Sequence, residues 1–393
     1  MKYKKIIPLI LICCLLSGCW DKVEIDRRIF ISTMAVDVGR DIGKEDKFKD
    51  IKSNEIFNEK EFNKLSITYG FPDISEVEPG KTATGKEKFI TIDAFSMEDG
   101  MAKMVSRSSR TLHLGHIKLL ILSDELLRHP DTVKEILDYI ERKPCINRMM
   151  LVVVAKGRSE DYVKYQPVME KNIESYITGI MENSGIKSNV IPIKFNELAI
   201  LLYQNGNAII PNISFDKAKN EIYLSGVALI KNYELQGNLD SEETSALEML
   251  RGKIKGGKEV VFKDGHPIEF EIEGAERKIS LVNDNYEKGL EFKVDIKLEG
   301  QLKQYYLEED VFEENDLKEI QSNFNDVIEK KCEKVTRITQ EKYSIDPIGF
   351  REYVEKFKPK LYEKIKDDWD EVYEKANIDI NVETRIRRIG TTK

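Results

Sequence analysis

Residues 116–124 read HIKLLILSD, and residues 148–157 read RMMLVVVAKG. Both runs are short and almost wholly apolar, which is typical of strands that are buried on both faces of a sheet. Between them, residues 131–144 (DTVKEILDYIERKP) have the spacing of an amphipathic helix, which Pro144 ends. Helix alternating with apolar strand predicts an α/β domain whose sheet is covered, at least in part, on both faces.

The segments before this core continue the same pattern. Residues 29–39 (IFISTMAVDVG), 65–73 and 88–96 have the composition of strands, and residues 97–109 suit a helix. Residues 41–64 are charged and only weakly apolar, so they are predicted to form a solvated insertion or a short exposed helix.

After residue 157 the pattern changes twice. Residues 157–212 read as helix and loop, and residues 221–237 (EIYLSGVALIKNYELQG) read as a strand pair with a turn near Asn232. Residues 260–282 and 289–302 alternate apolar and polar side chains, as half-buried antiparallel strands do.

Two amphipathic helices and a strand complete the chain. The helices are predicted from Leu317 to Ile338 and from Tyr353 to Val372, with Pro359 marking a kink or break in the second, and residues 378–390 read as the strand. The fold class is therefore α/β (α+β) and multidomain. A mixed-sheet N-terminal α/β part is expected to precede a C-terminal antiparallel-sheet domain with two long helices.

The first residues have the organisation of a secretion signal. Three lysines precede the apolar run Ile6–Leu16, which is too short to cross a bilayer by itself because a transmembrane helix needs about 17 to 25 residues. Leu16, Ser17, Gly18 and Cys19 resemble a bacterial lipoprotein box. Such a box implies cleavage after residue 18 and a diacylglyceryl group on Cys19, with or without an N-acyl chain. The alternative is an ordinary signal peptide with a chance cysteine.

The charge balance excludes two classes of partner. The chain has 62 Lys+Arg, 70 Asp+Glu and a net charge of −8, and loss of the lysine-rich signal makes it more acidic. An acidic chain is a poor match for nucleic acid, and its surface as a whole is a poor match for anionic lipid. The lipid on Cys19 would therefore hold the protein at the membrane.

Beyond the signal and Cys19, only Cys145 and Cys332 remain. Two thiols that lie so far apart form neither a disulfide framework nor a zinc motif. Both are predicted to be buried, small, apolar side chains, and the alternative is one long-range disulfide.

Two motifs resemble binding sites but lack residues that such sites require. His113 and His116 in HLGH offer two metal ligands but no evident third, so hydrogen bonding at a strand edge is the favoured interpretation. The run from Gly252 to Glu259 begins like a phosphate-binding loop. However, Glu259 replaces the required Ser or Thr, and a strand follows instead of a helix. A glycine-rich turn that leads into a strand is predicted here.

Two further features have both functional and structural interpretations. Glu242 and Glu243 could act as an acid/base pair or lie in an interface, but a helix start with Asp240 or Ser241 as N-cap accounts for them better. Trp20, beside the lipid site, suits either the membrane interface or the surface of the first domain.

Several stretches in the same order resemble the Ger(x)C family. These are CWDKVEI from residue 19, LGHIKLLILSDEL from residue 114, SGVALIKNYELQGNLDSEETSALEMLRGKIKGG from residue 225, and the tail from residue 346. The family comprises C subunits of nutrient-germinant receptors in spore-forming Gram-positive bacteria. The resemblance implies a lipoprotein on the outer face of the spore inner membrane, partnered by membrane-embedded A and B subunits, with an uncommon multidomain α/β fold and no known catalytic centre. The chain departs from the family pattern at residues 41–64.

The expected organisation is a signal peptide (1–18), an N-terminal α/β region (19–200), a connecting segment (201–220) and a C-terminal domain (221–393). The expected function is that of a non-enzymatic, lipid-anchored receptor subunit, with no cofactor other than the covalent lipid on Cys19. A solute-binding lipoprotein that captures a nutrient directly is the alternative, and direct nutrient binding stays open. A cell-envelope hydrolase is a third hypothesis.

Overall fold

A computed structural model of the chain describes residues 27–44, 51–52, 54, 62–73, 87–183, 190–216, 218–304 and 314–389. The described strands form three sheets of two, eight and four strands. The strands are β1 (Arg28–Phe30), β2 (Thr33–Val38), β3 (Leu65–Pro72), β4 (Glu87–Ala94), β5 (Thr111–His113), β6 (Leu119–Ser123), β7 (Leu151–Ala155), β8 (Asn207–Asp216), β9 (Glu221–Lys231), β10 (Glu234–Leu239), β11 (Lys258–Lys263), β12 (His266–Asn283), β13 (Glu291–Gln304) and β14 (Asn377–Ile389).

The eight-stranded sheet has the order β10-β9-β8-β7-β6-β2-β3-β4. Its centre is parallel, since β2 pairs with β6, β6 with β7, and β7 with β8 in the same direction. Antiparallel hairpin partners extend it at both edges. The sheet is therefore mixed, as the sequence predicts.

Helices cover both faces of this sheet, which confirms the prediction from the apolar strands. The described α-helices are α1 (Met97–Arg107), α2 (Pro130–Arg142), α3 (Ser159–Lys164), α4 (Ile173–Asn183), α5 (Phe195–Asn205), α6 (Ser241–Arg251), α7 (Glu314–Arg337), α8 (Phe350–Phe357), α9 (Pro359–Ile365) and α10 (Trp369–Glu374). Leu120 and Leu122 of β6 pack in the core with α1, α2 and α5. Leu119 and Ile121 point to the opposite core with α3 and α4.

The prediction for residues 157–212 was incomplete. The helices are present, but residues 207–216 form strand β8, which lies between β7 and β9. Pro211 lies in this strand, and a proline argues against a central strand because it cannot donate a ladder hydrogen bond. The register shifts between Pro211 and Ile213, and this bulge accommodates the proline.

The C-terminal sheet has the order β11-β12-β13-β14. The predicted antiparallel arrangement is confirmed for β11, β12 and β13, whereas β14 pairs parallel to β13. Parallel pairing requires a long crossover, and α7 to α10 supply it. The direction of β14 thus follows from the helices that connect it, which side-chain alternation does not reveal.

The two predicted C-terminal helices differ in continuity. Helix α7 is a single helix, while the second predicted helix consists of α8, α9 and α10. The break at Pro359 is confirmed, since this residue begins α9 after Lys358 ends α8. A second break separates Ile365 from Trp369.

Helix α6 joins the two large sheets. Its buried Ala246, Leu247 and Leu250 belong to a core that contains Val227 of β9 and Phe270 of β12. Strands β9 and β10 complete the eight-stranded sheet, and the chain then passes through α6 into β11. The predicted domain limits stay predictions, but this sheet takes strands from both sides of residues 201–220, and residues 1–18 lie outside the described part.

Candidate functional site

A cleft of about 1100 Å³ lies between the eight-stranded and four-stranded units. One wall comes from α4, α5 and residues 190–193, and the other from the end of α6, the turn after it and residues 273–275 of β12. Clefts between structural units that combine apolar walls with a few polar groups are common sites for small ligands. Among its apolar lining residues are Met181, Ile191, Ile193, Leu201, Ile209 and Ile254.

The turn after α6 is part of the run that resembles a phosphate-binding loop. Gly252 ends the helix with a φ of 64°. The N–H of Lys253 donates to the carbonyl of Glu248 at 3.0 Å, and the N–H of Gly252 donates to Met249 at 2.9 Å. This bond pair defines a Schellman motif, in which glycine adopts the left-handed conformation without a Cβ penalty. The predicted glycine-rich turn into a strand is thus confirmed, and β11 follows it.

Three basic residues at the end of α6 and in the turn after it line the cleft, namely Arg251, Lys253 and Lys255. Arg251 pairs with Glu248 at 3.1 Å. Arg277 of β12 lies behind the turn, outside the cleft lining, and donates to the carbonyls of Leu250 at 2.9 Å and Ile348 at 3.0 Å. The Arg251 charge, followed by burial, lowers the pKa of Lys253. Within the described residues, the Lys253 ammonium has no hydrogen-bond or ion-pair partner.

Most acidic side chains that line the cleft already form an ion pair or a hydrogen bond within the protein. Burial raises the pKa of Glu248, although Arg251 beside it opposes this shift. Glu197 caps α5 by accepting from the Lys194 N–H at 3.4 Å, and Glu273 accepts from Gln301 at 2.9 Å. The arrangement can therefore hold a small molecule with an apolar body and one carboxylate, which would neutralise Lys253.

Glu259 does not serve an anion site. It is 4% exposed in β11, and its carboxylate pairs with Lys331 of α7 at 2.7 Å. Burial raises the pKa of Glu259, although Lys331 opposes this shift. Glu259, which replaces the Ser or Thr of a phosphate-binding loop, therefore connects α7 to the four-stranded sheet through an ion pair.

His113 and His116 lie together beside the small β1–β5 sheet. Their ring centroids are 5.1 Å apart, and Phe30 makes edge contacts with both. Burial, followed by the charges of His116 and Arg28, lowers the pKa of His113. No group of three or more potential metal ligands occurs in the part of the chain that the structure describes.

The acidic pair at the start of α6 has the predicted capping role. Asp240 is the N-cap, since its carboxylate accepts from the Glu243 N–H at 2.8 Å, and Glu243 reaches back to the Asp240 N–H at 3.1 Å. Glu243 also pairs with Lys334 of α7 at 2.9 Å. Glu242 remains 81% exposed. The two acids therefore stabilise a helix start, and their interface interpretation stays a prediction.

The two remaining cysteines have different environments. Cys332 is fully buried in α7, as predicted, but Cys145 is exposed, so the prediction that both are buried was wrong. Cys145 lies in the loop after α2, where little packs over it. Both thiols are free, so the alternative of a long-range disulfide is excluded in this structure.

The predicted lipid site lies outside the described residues. Leu16, Ser17, Gly18, Cys19 and Trp20 all precede Arg27, where the description begins, and most of the 41–64 insertion is also outside it. None of the described helices combines the length and hydrophobicity that crossing a bilayer requires.

Sequence reasoning did not identify the cleft. It singled out the run that contains Lys253, but as a phosphate-loop imitation, and it assigned Arg277 only to an alternating strand. The available signal was the concentration of basic residues around a helix end, but only the tertiary structure brought α4 and α5 opposite this turn.

Comparison with known proteins places both halves of the chain in one group. Residues 21–215 match the family model described as the spore germination protein N-terminal domain, and residues 225–390 match the model described as spore germination B3/GerAC like, C-terminal. The Bacillus subtilis (strain 168) spore germination protein YndF is 26% identical, with the alignment covering 100% of this chain and 99% of the relative. Spore germination protein B3 of the same strain is 23% identical over 96% and 95%, respectively.

A solved structure has the same fold. The crystal structure of the GerBC protein matches with a TM-score of 0.59 and 20% identity, covering 82% of this chain and 93% of the GerBC chain. The two structures therefore share an arrangement of helices and sheets across most of their length.

Proposed function

This chain belongs to the Ger(x)C family of spore germination proteins, and we propose that it acts as the lipid-anchored C subunit of a spore nutrient-germinant receptor. In this role it supports assembly of the receptor, or couples its subunits, so that nutrients trigger germination. The observation that carries the proposal is the ordered match of both family models, at residues 21–215 and 225–390.

The lipoprotein box supports the location. A diacylated Cys19 would hold the folded units at the outer face of the spore inner membrane, beside the A and B subunits. Confinement to the membrane raises the effective concentration of one subunit for another, so weak contacts suffice for assembly. The folded units would then bind the extramembrane loops of the A and B subunits.

We propose a non-enzymatic role for the chain and for its cleft. Its polar groups are lysine, arginine and glutamate side chains, most of which are already paired within the protein.

The test begins with the protein purified from the inner membranes of dormant spores. Mass spectrometry should find a diacylated Cys19 as the first residue and A- and B-type receptor subunits as companions. A Cys19→Ala variant should be depleted from the membrane and should slow germination. Normal membrane retention with a normal nutrient response in this variant would contradict the anchoring role.

The cleft favours a second candidate function, which is direct capture of a small nutrient. Its volume of about 1100 Å³ and Lys253, whose ammonium makes no hydrogen bond or ion pair within the described residues, fit a small amphipathic carboxylate. Calorimetric titration of the purified chain with a panel of amino acids and organic acids tests this candidate. Lys253→Met should abolish any binding that occurs in the cleft, while Lys288→Met, an exposed lysine outside it, should leave binding unchanged.

A further inference from the structure

The loop between α3 and α4 presents an unusually exposed apolar pair. Val168 is 96% exposed and Met169 is 90% exposed, the two highest values among the large apolar side chains of the described chain. Adjacent exposed apolar side chains have no partner to exclude water from them, and in a folded protein they often mark an interaction site. We refer to residues 168–169 as the apolar tip.

Packed residues bracket the loop that carries the apolar tip, although Glu170 and Lys171 directly after the tip are exposed. Pro167 before it is buried. After it, the side chain of Asn172 accepts from the Ser175 N–H at 2.8 Å and caps α4, and Ile173 is fully buried in the core between α4 and the sheet. The two side chains are thus held outward by a structured loop.

Glu87 links the apolar tip to the start of the described chain. Its carboxylate accepts from the Ser32 hydroxyl at 3.0 Å and from the Ile173 N–H at 3.0 Å. Met169 precedes Ile173 by four residues and can lie no more than about 14 Å from it. Ser32 and the loop with the apolar tip therefore lie at the same edge of the eight-stranded sheet, which is the edge formed by the strand ends where β2 and β4 begin.

The position of this edge matters because Cys19 precedes Arg27 by only eight residues. Even a fully extended chain of that length spans no more than about 29 Å. If Cys19 carries the lipid, Arg27 is held within that distance of the bilayer and Ser32 within about 47 Å, whereas the four-stranded unit begins only at Lys258.

The surroundings of the apolar tip suit a lipid surface. Lys164 precedes the loop, pairs with Glu160 at 2.5 Å and lies over the ring of Phe89, with Nζ 5.3 Å from its centroid. Phe89 is itself 42% exposed. Lys118, at the same edge, is 61% exposed while it pairs with Glu174. Aromatic rings and lysines of this kind favour the headgroup layer, where the charged ends stay in water.

We propose that the apolar tip, Val168–Met169, inserts into the headgroup–acyl boundary of the bilayer that holds the lipid anchor. This inference rests on the proposed anchoring of Cys19. The lipid and the apolar tip then form two contacts at one edge, which orients the eight-stranded sheet to the membrane and leaves the four-stranded unit projecting away from it.

Site-directed spin labelling of the full lipidated chain tests the proposal. Met169→Cys is labelled in a Cys145→Ser background, since Cys332 is buried, and the protein is reconstituted in vesicles of phosphatidylcholine. Dissolved oxygen, which concentrates in the bilayer, should relax the spin label at residue 169 more than a water-soluble nickel chelate does. Phe262→Cys is the matched control, because Phe262 is an apolar residue of the four-stranded unit that is 68% exposed, and its label should report water.

The outcomes separate the two proposals. A chain that carries diacylated Cys19 and sediments with vesicles, but has an aqueous label at residue 169, overturns membrane insertion and leaves anchoring intact. A label that becomes protected only when the A and B subunits are added also overturns it, because the occupant would then be protein. A chain that lacks the lipid and does not sediment contradicts the proposed anchoring itself.

Discussion

Lys231 of β9 forms an ion pair with Asp370 of α10 at 2.8 Å, across the junction between the eight-stranded sheet and the C-terminal helices. The Lys231 ammonium also donates to the carbonyl of Ser344 at 2.9 Å. The Lys231 side chain is only 20% exposed, so water competes weakly for these bonds. Lys231 therefore connects β9 of the eight-stranded sheet with the helical crossover that leads to β14 of the four-stranded sheet.

Replacing this lysine should weaken the junction between the units. We expect Lys231→Met to lower the free energy of unfolding by about 1 kcal/mol, because Asp370 is partly exposed and the ion pair is partly screened. Urea titration followed by circular dichroism measures the change. In a double-mutant cycle with Asp370→Asn, the losses should be less than additive, and full additivity would show that the ion pair contributes nothing.

Gly226 in β9 should not tolerate a side chain. Its φ is 106°, and a Cβ at this position would lie 2.0 Å from the carbonyl oxygen of Leu239. Gly226→Ala should therefore lower the free energy of unfolding by about 3 kcal/mol, from strain and a displaced backbone. Gly274→Ala is the matched control, since no atom lies within 4 Å of its added Cβ, and it should change stability by less than about 0.5 kcal/mol. Equal losses of stability in the two variants would show that the contact between a Cβ at residue 226 and the Leu239 carbonyl has no energetic effect.

Replacement of Lys331 should lower the free energy of unfolding by an amount that depends on pH. Lys331→Met leaves the Glu259 carboxylate buried without its cation, and we expect a loss of about 2 kcal/mol at pH 8, moderated by the partial exposure of Lys331. Burial raises the pKa of Glu259 above its ordinary value of 4.5. The folded state therefore gains stability from protonation of Glu259. This gain is fully present below about pH 4.5 and is lost as the pH rises through the pKa of Glu259 in the folded state.

The direction of the Glu259 pKa shift also predicts how the stability of the Lys331→Met variant depends on pH. Without Lys331 the folded-state pKa of Glu259 rises further, so the loss of stability should be smaller at pH 5 than at pH 8. Urea titrations at the two pH values measure this difference. The double variant Lys331→Met/Glu259→Gln should show no such difference, and a loss that does not depend on pH would exclude Glu259 as its cause.

The two thiols should react at very different rates. Cys145 is exposed, whereas Cys332 is fully buried and burial raises the pKa of its thiol. At pH 8, iodoacetamide should alkylate Cys145 in the native chain and spare Cys332 until urea unfolds the protein. Mass spectrometry of the peptides measures both rates. Similar native rates, or a peptide that joins the two cysteines, would be inconsistent with this structure.

Local patterns predicted most of the elements. The alternation of Leu119 to Leu122 between two cores, the capping role of Asp240 and the break at Pro359 all depend on residues within one or two turns or strands. Strand β8 was missed because Pro211 argues against a central strand, and the bulge that accommodates it depends on its pairing with β9. The exposure of Cys145 was also missed, because a lone cysteine carries no pattern.

By itself, the sequence determined the α/β class, the alternating faces of the strands and the order of family motifs, because hydrophobic spacing and capping act over short distances along the chain. Only the tertiary structure decided the parallel direction of β14, the sharing of α6 between two sheets and the approach of Arg277 to Arg251. It also brought Ser32 and Ile173 to the carboxylate of Glu87. Each of these relationships joins residues that are far apart in sequence, and their contacts arise from how complete helices and sheets pack together.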